Sequence, residues 1–168
     1  MSGIAAEAIR SPELRLDLRF VVTGPPEGLR LPARAAPERT DELWKHTCFE
    51  AFIRAGPGEA YLELNLAPST QWAAYRFDGY RHGMTPALDI SAPRIGMRAT
   101  PEGLELTASL DLADLPDLSQ ADWRVGLSAV IEAADGSLSY WALAHAPGRP
   151  DFHHADCFAL QVPAPLSP

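Results

Sequence analysis

The chain is short of basic charge. Among its 168 residues 14 Lys and Arg stand against 22 Asp and Glu, a formal net charge of −8 with a pI near 5.0. No basic stripe is available to neutralise phosphates, which argues against nucleic acid or an anionic membrane surface as a partner. No apolar run reaches the roughly 18 residues that a membrane-spanning helix needs. The opening MSGIAAEAIRSPELR has no basic leader followed by an apolar stretch, so no secretory signal is read there and a cytoplasmic location is expected. There are only two cysteines, Cys48 and Cys157, and each precedes a Phe in a predicted strand. Buried free thiols are expected rather than a disulfide. A sustained 3.6-residue period is also missing. LADLPDLSQADW has room for one helical turn before Pro116 stops it.

What is present is apolar content (46%), enough for a sizeable core in one domain spanning 1–168. The 16 prolines fall between apolar stretches rather than within them. Between these breaks lie short alternating runs. They include Leu14 to Phe20, Phe49 to Ile53, Leu62 to Leu66, Ile95 to Met97, Leu104 to Leu110, Trp123 to Ile131, Leu138 to Leu143 and Cys157 to Val162. Short strands at this spacing, separated by turn signals, predict an all-β fold: an antiparallel, jelly-roll-like β-sandwich. Ala134-Asp135-Gly136-Ser137 reads as a hairpin turn, since Asp-Gly supplies the positive φ that a tight connection needs.

YLELNLAPSTQWAAYRF (61–77) reads as a second hairpin, turning at Pro68-Ser69-Thr70-Gln71. A four-residue loop pairs Leu66 with Ala73, Leu64 with Tyr75 and Leu62 with Phe77, and sets Glu63 opposite Arg76. In that register Tyr75 faces the core, while Glu63, Asn65, Trp72 and Arg76 share the polar face. In WKHTCFEAFIR (44–54), Phe49, Ala51 and Ile53 take the apolar side and leave His46, Cys48, Glu50, Phe52 and Arg54 on the other. A Phe52 beside Glu50 suggests a face that is covered by a loop or lines a cleft.

Two readings of the polar face stay open. It is an ordinary solvated sheet face with a Glu63–Arg76 ion pair, or it is a sugar site. In the second reading Trp72, with Trp44 or Trp141, is the stacking platform, and Glu50, Glu63, Asn65 and Arg76 bond the hydroxyls.

LWKHTCFEAFI, YLELNLAPSTQWAAYRFDGYRHGM and YWALAHAPGRPDFHHADCF, with the pattern E-x-F-I…Y-x-E-x-N…W-x-A-Y, resemble the bacterial DOMON-like proteins related to family 9 carbohydrate-binding modules. The resemblance covers nearly the whole chain. It implies a β-sandwich with a ligand site on a concave sheet face, and a ligand that is a sugar or, in some DOMON branches, haem. Glu50, Glu63, Asn65, Trp72 and Tyr75 match the pattern. The chain departs from the sugar-binding relatives in lacking an export signal, an attached catalytic domain and a recognisable pair of facing tryptophans.

Other constellations are less specific. HAPGRPDFHHADC (145–157) carries His145, Asp151, His153, His154, Asp156 and Cys157, whose side chains are metal ligands, but at no diagnostic spacing. Such a loop is more often a solvated connection whose Asp and His side chains cap backbone groups. Haem would need axial ligands from His46, His82, Met84, Met97 or His145, and no C-x-x-C-H is present. Calcium would draw on Asp78, Asp89 or Asp111, without an EF-hand-like loop. Glu50 and Glu63 are the one carboxylate pair brought together, but nothing in the sequence places a scissile bond between them. The expectation is therefore a binding protein rather than an enzyme, with a protein-docking module as a further class if Phe52 and Trp72 form an exposed patch.

Overall fold

The alternating runs become two antiparallel sheets. The structure, a computed structural model, describes residues 1–165; the last three residues of the proline-rich end lie outside that range. One sheet has four strands in the order β1 (Gly3–Arg10), β2 (Arg15–Thr23), β8 (Gly103–Asp111), β7 (Arg94–Thr100). The other runs β10 (Leu138–Ala142), β9 (Trp123–Glu132), β3 (Cys48–Ala55), β4 (Tyr61–Leu66), β5 (Trp72–Phe77), β6 (Thr85–Pro86), and β11 (Leu160–Val162) pairs with the start of β9. No helix among the described residues is long and apolar enough to cross a membrane.

The inner faces follow the period of two. Leu16, Leu18, Phe20 and Val22 of β2, with Leu104, Leu106 and Leu110 of β8, meet Phe49, Ala51 and Ile53 of β3 and the alternate residues of β4 and β9. The Phe20 and Phe49 rings touch across the sheets with centroids 5.1 Å apart. The expected sandwich is therefore the observed one, and β3 does lie beside β4. Two local expectations are corrected. Pro116 does not stop a turn but starts one: α1 (Pro116–Ser119) carries the proline in its first turn, where a missing N–H costs nothing. Cys157 lies in a 3-10 turn, Ala155–Cys157, and only Leu160–Val162 is strand. Both cysteines are buried and free.

The correction with most consequence concerns the β4–β5 register. The pairs are Tyr61–Phe77, Glu63–Tyr75, Asn65–Ala73 and Leu66–Trp72, one residue away from the expected set. The connection is a three-residue loop, Pro68–Thr70, closed by the Ala67 N–H donating to Gln71 O at 3.0 Å. Thr70 takes the left-handed φ of +79°, and its Oγ1 donates to Ala35 O at 2.8 Å, which holds it there. Every β5 side chain therefore swaps faces. Trp72 and Ala74 join the core, whereas Tyr75 and Phe77 stand on the outer face beside Glu63.

That outer face is not open to water along its whole length. Residues 145–158 cross it as a strap that buries Phe152 and Phe158 against Phe52, Tyr61 and Phe77. The strap runs close over β9 at Gly126, where an added Cβ would sit 2.9 Å from Cys157 O and 3.6 Å from Phe52 Cβ. Both neighbours are rigid, so a mid-strand glycine is what lets the strap seat. Gly126→Ala is expected to cost about 1–3 kcal/mol in urea unfolding and to expose Cys157 to a thiol reagent. Unchanged stability and labelling would show that the strap does not depend on this approach.

Candidate functional site

A cavity of about 380 Å³ opens where the strap stops short of covering the outer face. Its floor is sheet: Glu50 from β3, Glu63 from β4, Tyr75 and Phe77 from β5, and Val130 from β9. Its walls are Trp44 from the 3-10 turn Leu43–Lys45, Arg81 and Met84 from the β5–β6 loop, Tyr140 from β10, and Pro150, Phe152 and His153 from the strap.

Register explains the floor. Glu50 pairs with Asn65 on one side and Ser128 on the other, and Phe52 pairs with Glu63, so the two carboxylates are diagonal neighbours on adjacent strands. Both are withdrawn from water; Glu50 is 3% and Glu63 6% exposed. Glu50 Oε2 accepts from Ser128 Oγ at 3.1 Å, and Glu63 Oε1 accepts from Asn65 Nδ2 at 2.7 Å. Burial first, and the charge of Glu63 second, push the Glu50 carboxyl up to about 8, against the opposing pull of the Ser128 hydroxyl and Arg81. Burial also raises Glu63, while the Asn65 amide and Arg81 hold it down.

A hydrogen-bonded chain closes one wall. The Arg81 N–H donates to the Tyr61 hydroxyl at 3.3 Å, and that hydroxyl lies 2.8 Å from His153 Nδ1. His153 Nε2 lies 3.9 Å from Glu63 Oε2. Burial, with the nearby Arg81 charge second, lowers His153 to about 4 and keeps the imidazole neutral near pH 7. A neutral ring accepts from Tyr61 at Nδ1 and turns Nε2–H toward Glu63. The Arg81 guanidinium is itself engaged, donating from Nε and Nη2 to Asp151 Oδ1 at 3.2 and 2.8 Å.

Of the residues expected on the site face, Glu50, Glu63 and Trp44 line the cavity. The Trp44 ring stands edge-on to Tyr75 with centroids 6.2 Å apart. Asn65 is fully buried and acts one step back, as the donor to Glu63. Three expectations are corrected. Trp72 is in the core, roofed by the Arg39 guanidinium 4.1 Å from its ring, and cannot form a platform on the outer face. Arg76 is not opposite Glu63; it pairs with Leu62 and makes a two-pronged ion pair with Asp89 at 2.8 Å. Trp141 is also turned inward, opposite Ala129, and packs on the core.

Sequence reasoning placed Tyr75 in the core and overlooked Tyr140, Arg81 and Phe152. Phe52 is 1% exposed beneath the strap, so with Trp72 buried as well the two cannot make the apolar docking patch considered above. His154 and Asp151 of the strap are engaged within the strap and its neighbouring loop. His154 Nδ1 accepts from the Asp156 N–H, and Asp151 accepts from Tyr80, Arg81 and the His153 N–H. Among the described residues no three His, Cys, Asp or Glu side chains converge to hold a metal ion.

No protein-family model matches the chain, and no curated protein matches it in sequence. Its fold is similar to that of a crystal structure from Bacteroides uniformis ATCC 8492, described as a "putative carbohydrate-binding protein". The TM-score is 0.64 at 12% identity, over 92% of this chain and 75% of that one. The two share a fold.

Proposed function

We propose that this protein is a non-catalytic binding protein whose cavity holds a small saccharide. The observation that carries the reading is the pairing of three aromatic side chains, Trp44, Tyr75 and Tyr140, with two carboxyl groups withdrawn into the cavity floor. Aromatic faces suit the C–H faces of a pyranose, and carboxylate oxygens accept from hydroxyl pairs. A volume of about 380 Å³ lies near the lower end of small-molecule sites, matching one or two sugar rings rather than a polymer. The fold neighbour's description as carbohydrate-binding supports the same ligand class. A non-catalytic role fits two carboxyl groups of which one is held by an amide and the other by a hydroxyl.

The test is saturation-transfer NMR against a panel of mono- and disaccharides, followed by calorimetry on any hit. Trp44→Ala is expected to weaken binding by at least about tenfold, roughly 1.4 kcal/mol, while Trp72→Phe leaves affinity unchanged. Full affinity in Trp44→Ala, or silence across the panel, would remove the proposal.

A further inference from the structure

The acids of the cavity have no free cation beside them. Its lining carries Glu50, Glu63 and Arg81, and the Arg81 guanidinium is already bonded to Asp151, which the Tyr80 hydroxyl holds as well. His153 brings no compensating charge, since burial keeps it neutral and its Nδ1 is taken up by Tyr61. Two carboxyl groups therefore face the cavity with no free cation beside them, Glu50 protonated below about pH 8 and able to ionise when a cation arrives.

Each also keeps an oxygen in reserve. Among the described residues no donor bonds Glu50 Oε1; the side chain's hydrogen bond is at Oε2, from Ser128. Glu63 Oε2 is no better served, because the nearest basic nitrogen, His153 Nε2, is 3.9 Å away and beyond hydrogen-bonding range. Neither oxygen is sealed off, so each reaches the cavity space, where a donor from water or from a ligand meets it.

The surrounding rings complete the picture. Trp44, Tyr75, Phe77, Tyr140 and Phe152 surround the two carboxylates. Aromatic faces carry negative potential and attract cations, an attraction that grows as water is excluded. The chain's net charge of −8 adds a long-range field of the same sign.

We propose that the cavity selects a saccharide bearing a protonated amine, whose ammonium is seated between Glu50 and Glu63 and bounded by the aromatic walls. This rests on the saccharide reading above and narrows it to amino sugars with the nitrogen free. An ammonium has three N–H donors and no acceptor. Two of them meet Glu50 Oε1 and Glu63 Oε2, and the third faces a ring or a retained water. A hydroxyl in the same place offers one donor and no charge, and an acetamide offers one donor with added bulk.

Proton bookkeeping gives an independent readout. In the empty cavity Glu50 holds its proton up to about pH 8, facing Glu63 from β4, Ser128 from β9, the Arg81 guanidinium and the buried Cys48 thiol. An arriving ammonium favours the carboxylate, so Glu50 gives its proton to the solvent as the ligand binds.

The experiment is calorimetry at about pH 6, where a free amine is protonated, in two buffers of different ionisation enthalpy. Glucosamine, galactosamine and mannosamine are compared with their neutral parents and N-acetyl derivatives, and benzylamine serves as an amine without a sugar ring. At least one amino sugar is expected to bind about tenfold or more tighter than both counterparts and to release up to one proton. Glu50→Gln and Glu63→Gln are each expected to erase that preference, and Glu50→Gln also the proton release, with circular dichroism confirming that both variants fold. Neutral or acetylated sugars binding as tightly would overturn the amine preference and leave the saccharide reading standing. Benzylamine bound while no sugar binds would overturn the saccharide reading and keep the ammonium seat. Silence from every probe would overturn both.

Discussion

Glu50→Gln is expected to raise the melting temperature at pH 8 by several degrees, with the gain shrinking to nothing near pH 4. The Glu50 carboxyl titrates near 8 in the folded chain, against an ordinary value of 4.5. The folded state therefore binds a proton that the unfolded state releases. Stability from this group is fully present below pH 4.5 and is lost as pH rises through the folded value, with a slope approaching 1.36 kcal/mol per unit. Glutamine mimics the protonated acid in size and neutrality, and its amide oxygen still accepts from Ser128. The variant escapes the loss, by an amount on the order of 3 kcal/mol at pH 8. His153 acts with the opposite sign. Its folded value, near 4, lies below the ordinary 6.5, so the stability it contributes is present above pH 6.5 and is lost as pH falls through 4. That acid limb is common to both proteins and cancels in the difference. Thermal melts from pH 4 to 9 check the expectation, and parallel curves for the two proteins would refute it.

Trp123→Ala is expected to be the most damaging single truncation, costing about 3–5 kcal/mol. Trp123 is 1% exposed at the start of β9. Its Nε1 donates to Leu118 O at 2.9 Å, and the Arg10 guanidinium lies 4.1 Å from its ring. Arg10 in turn donates to the carbonyls of Leu118, Ser119 and Ala121 at 2.6 to 2.8 Å. One indole thus seals the core at that end and anchors the segment that follows α1. Alanine leaves a large cavity and a buried carbonyl short of one donor. Trp44→Ala offers the contrast, since Trp44 is 36% exposed and is expected to shift stability by less than about 1 kcal/mol. Denaturant unfolding of both variants separates the two roles. Similar losses would mean that Trp44 is structural.

The fold was legible because inner-face residues such as Leu16, Leu18, Phe20, Leu104 and Leu106 alternate strictly with polar ones. β1 was missed for the converse reason: in GIAAEAIR small alanines occupy both faces and Ile9 points outward, 62% exposed. The site was half legible, and one local cause accounts for the misplaced residues of β5. Both hairpins beside the cavity turn through three residues and end in a left-handed one, Thr70 at φ +79° and Gly136 at φ +84°. Each is closed the same way, by Ala67 N–H to Gln71 O and by Ala133 N–H to Ser137 O. The four-residue loop Pro-Ser-Thr-Gln shifts the β4–β5 pairing by one. That shift sends Trp72 to the wet face and Tyr75 to the core. Thr is an unusual occupant of a left-handed position, so no residue type in the first hairpin announced the shorter loop. Glu50 and Glu63 escaped the error because β3 and β4 carry their own alternation. Arg81 and His153 come from irregular segments, where periodicity says nothing.

The prolines bear on how this sheet ends. Beyond β5, the first half of the strand is bordered by residues 38–40, which bond Trp72 from just after Pro37, and the second half by β6, whose Pro86 lies opposite Tyr75. Neither border is a strand long enough to template another, and Pro86 has no N–H to offer. The rim next to the cavity is therefore closed to strand addition. Two copies of the chain cannot fuse their sheets there into a continuous ribbon, and crowded solutions of the protein are protected from edge-to-edge aggregation along the side that carries the candidate site.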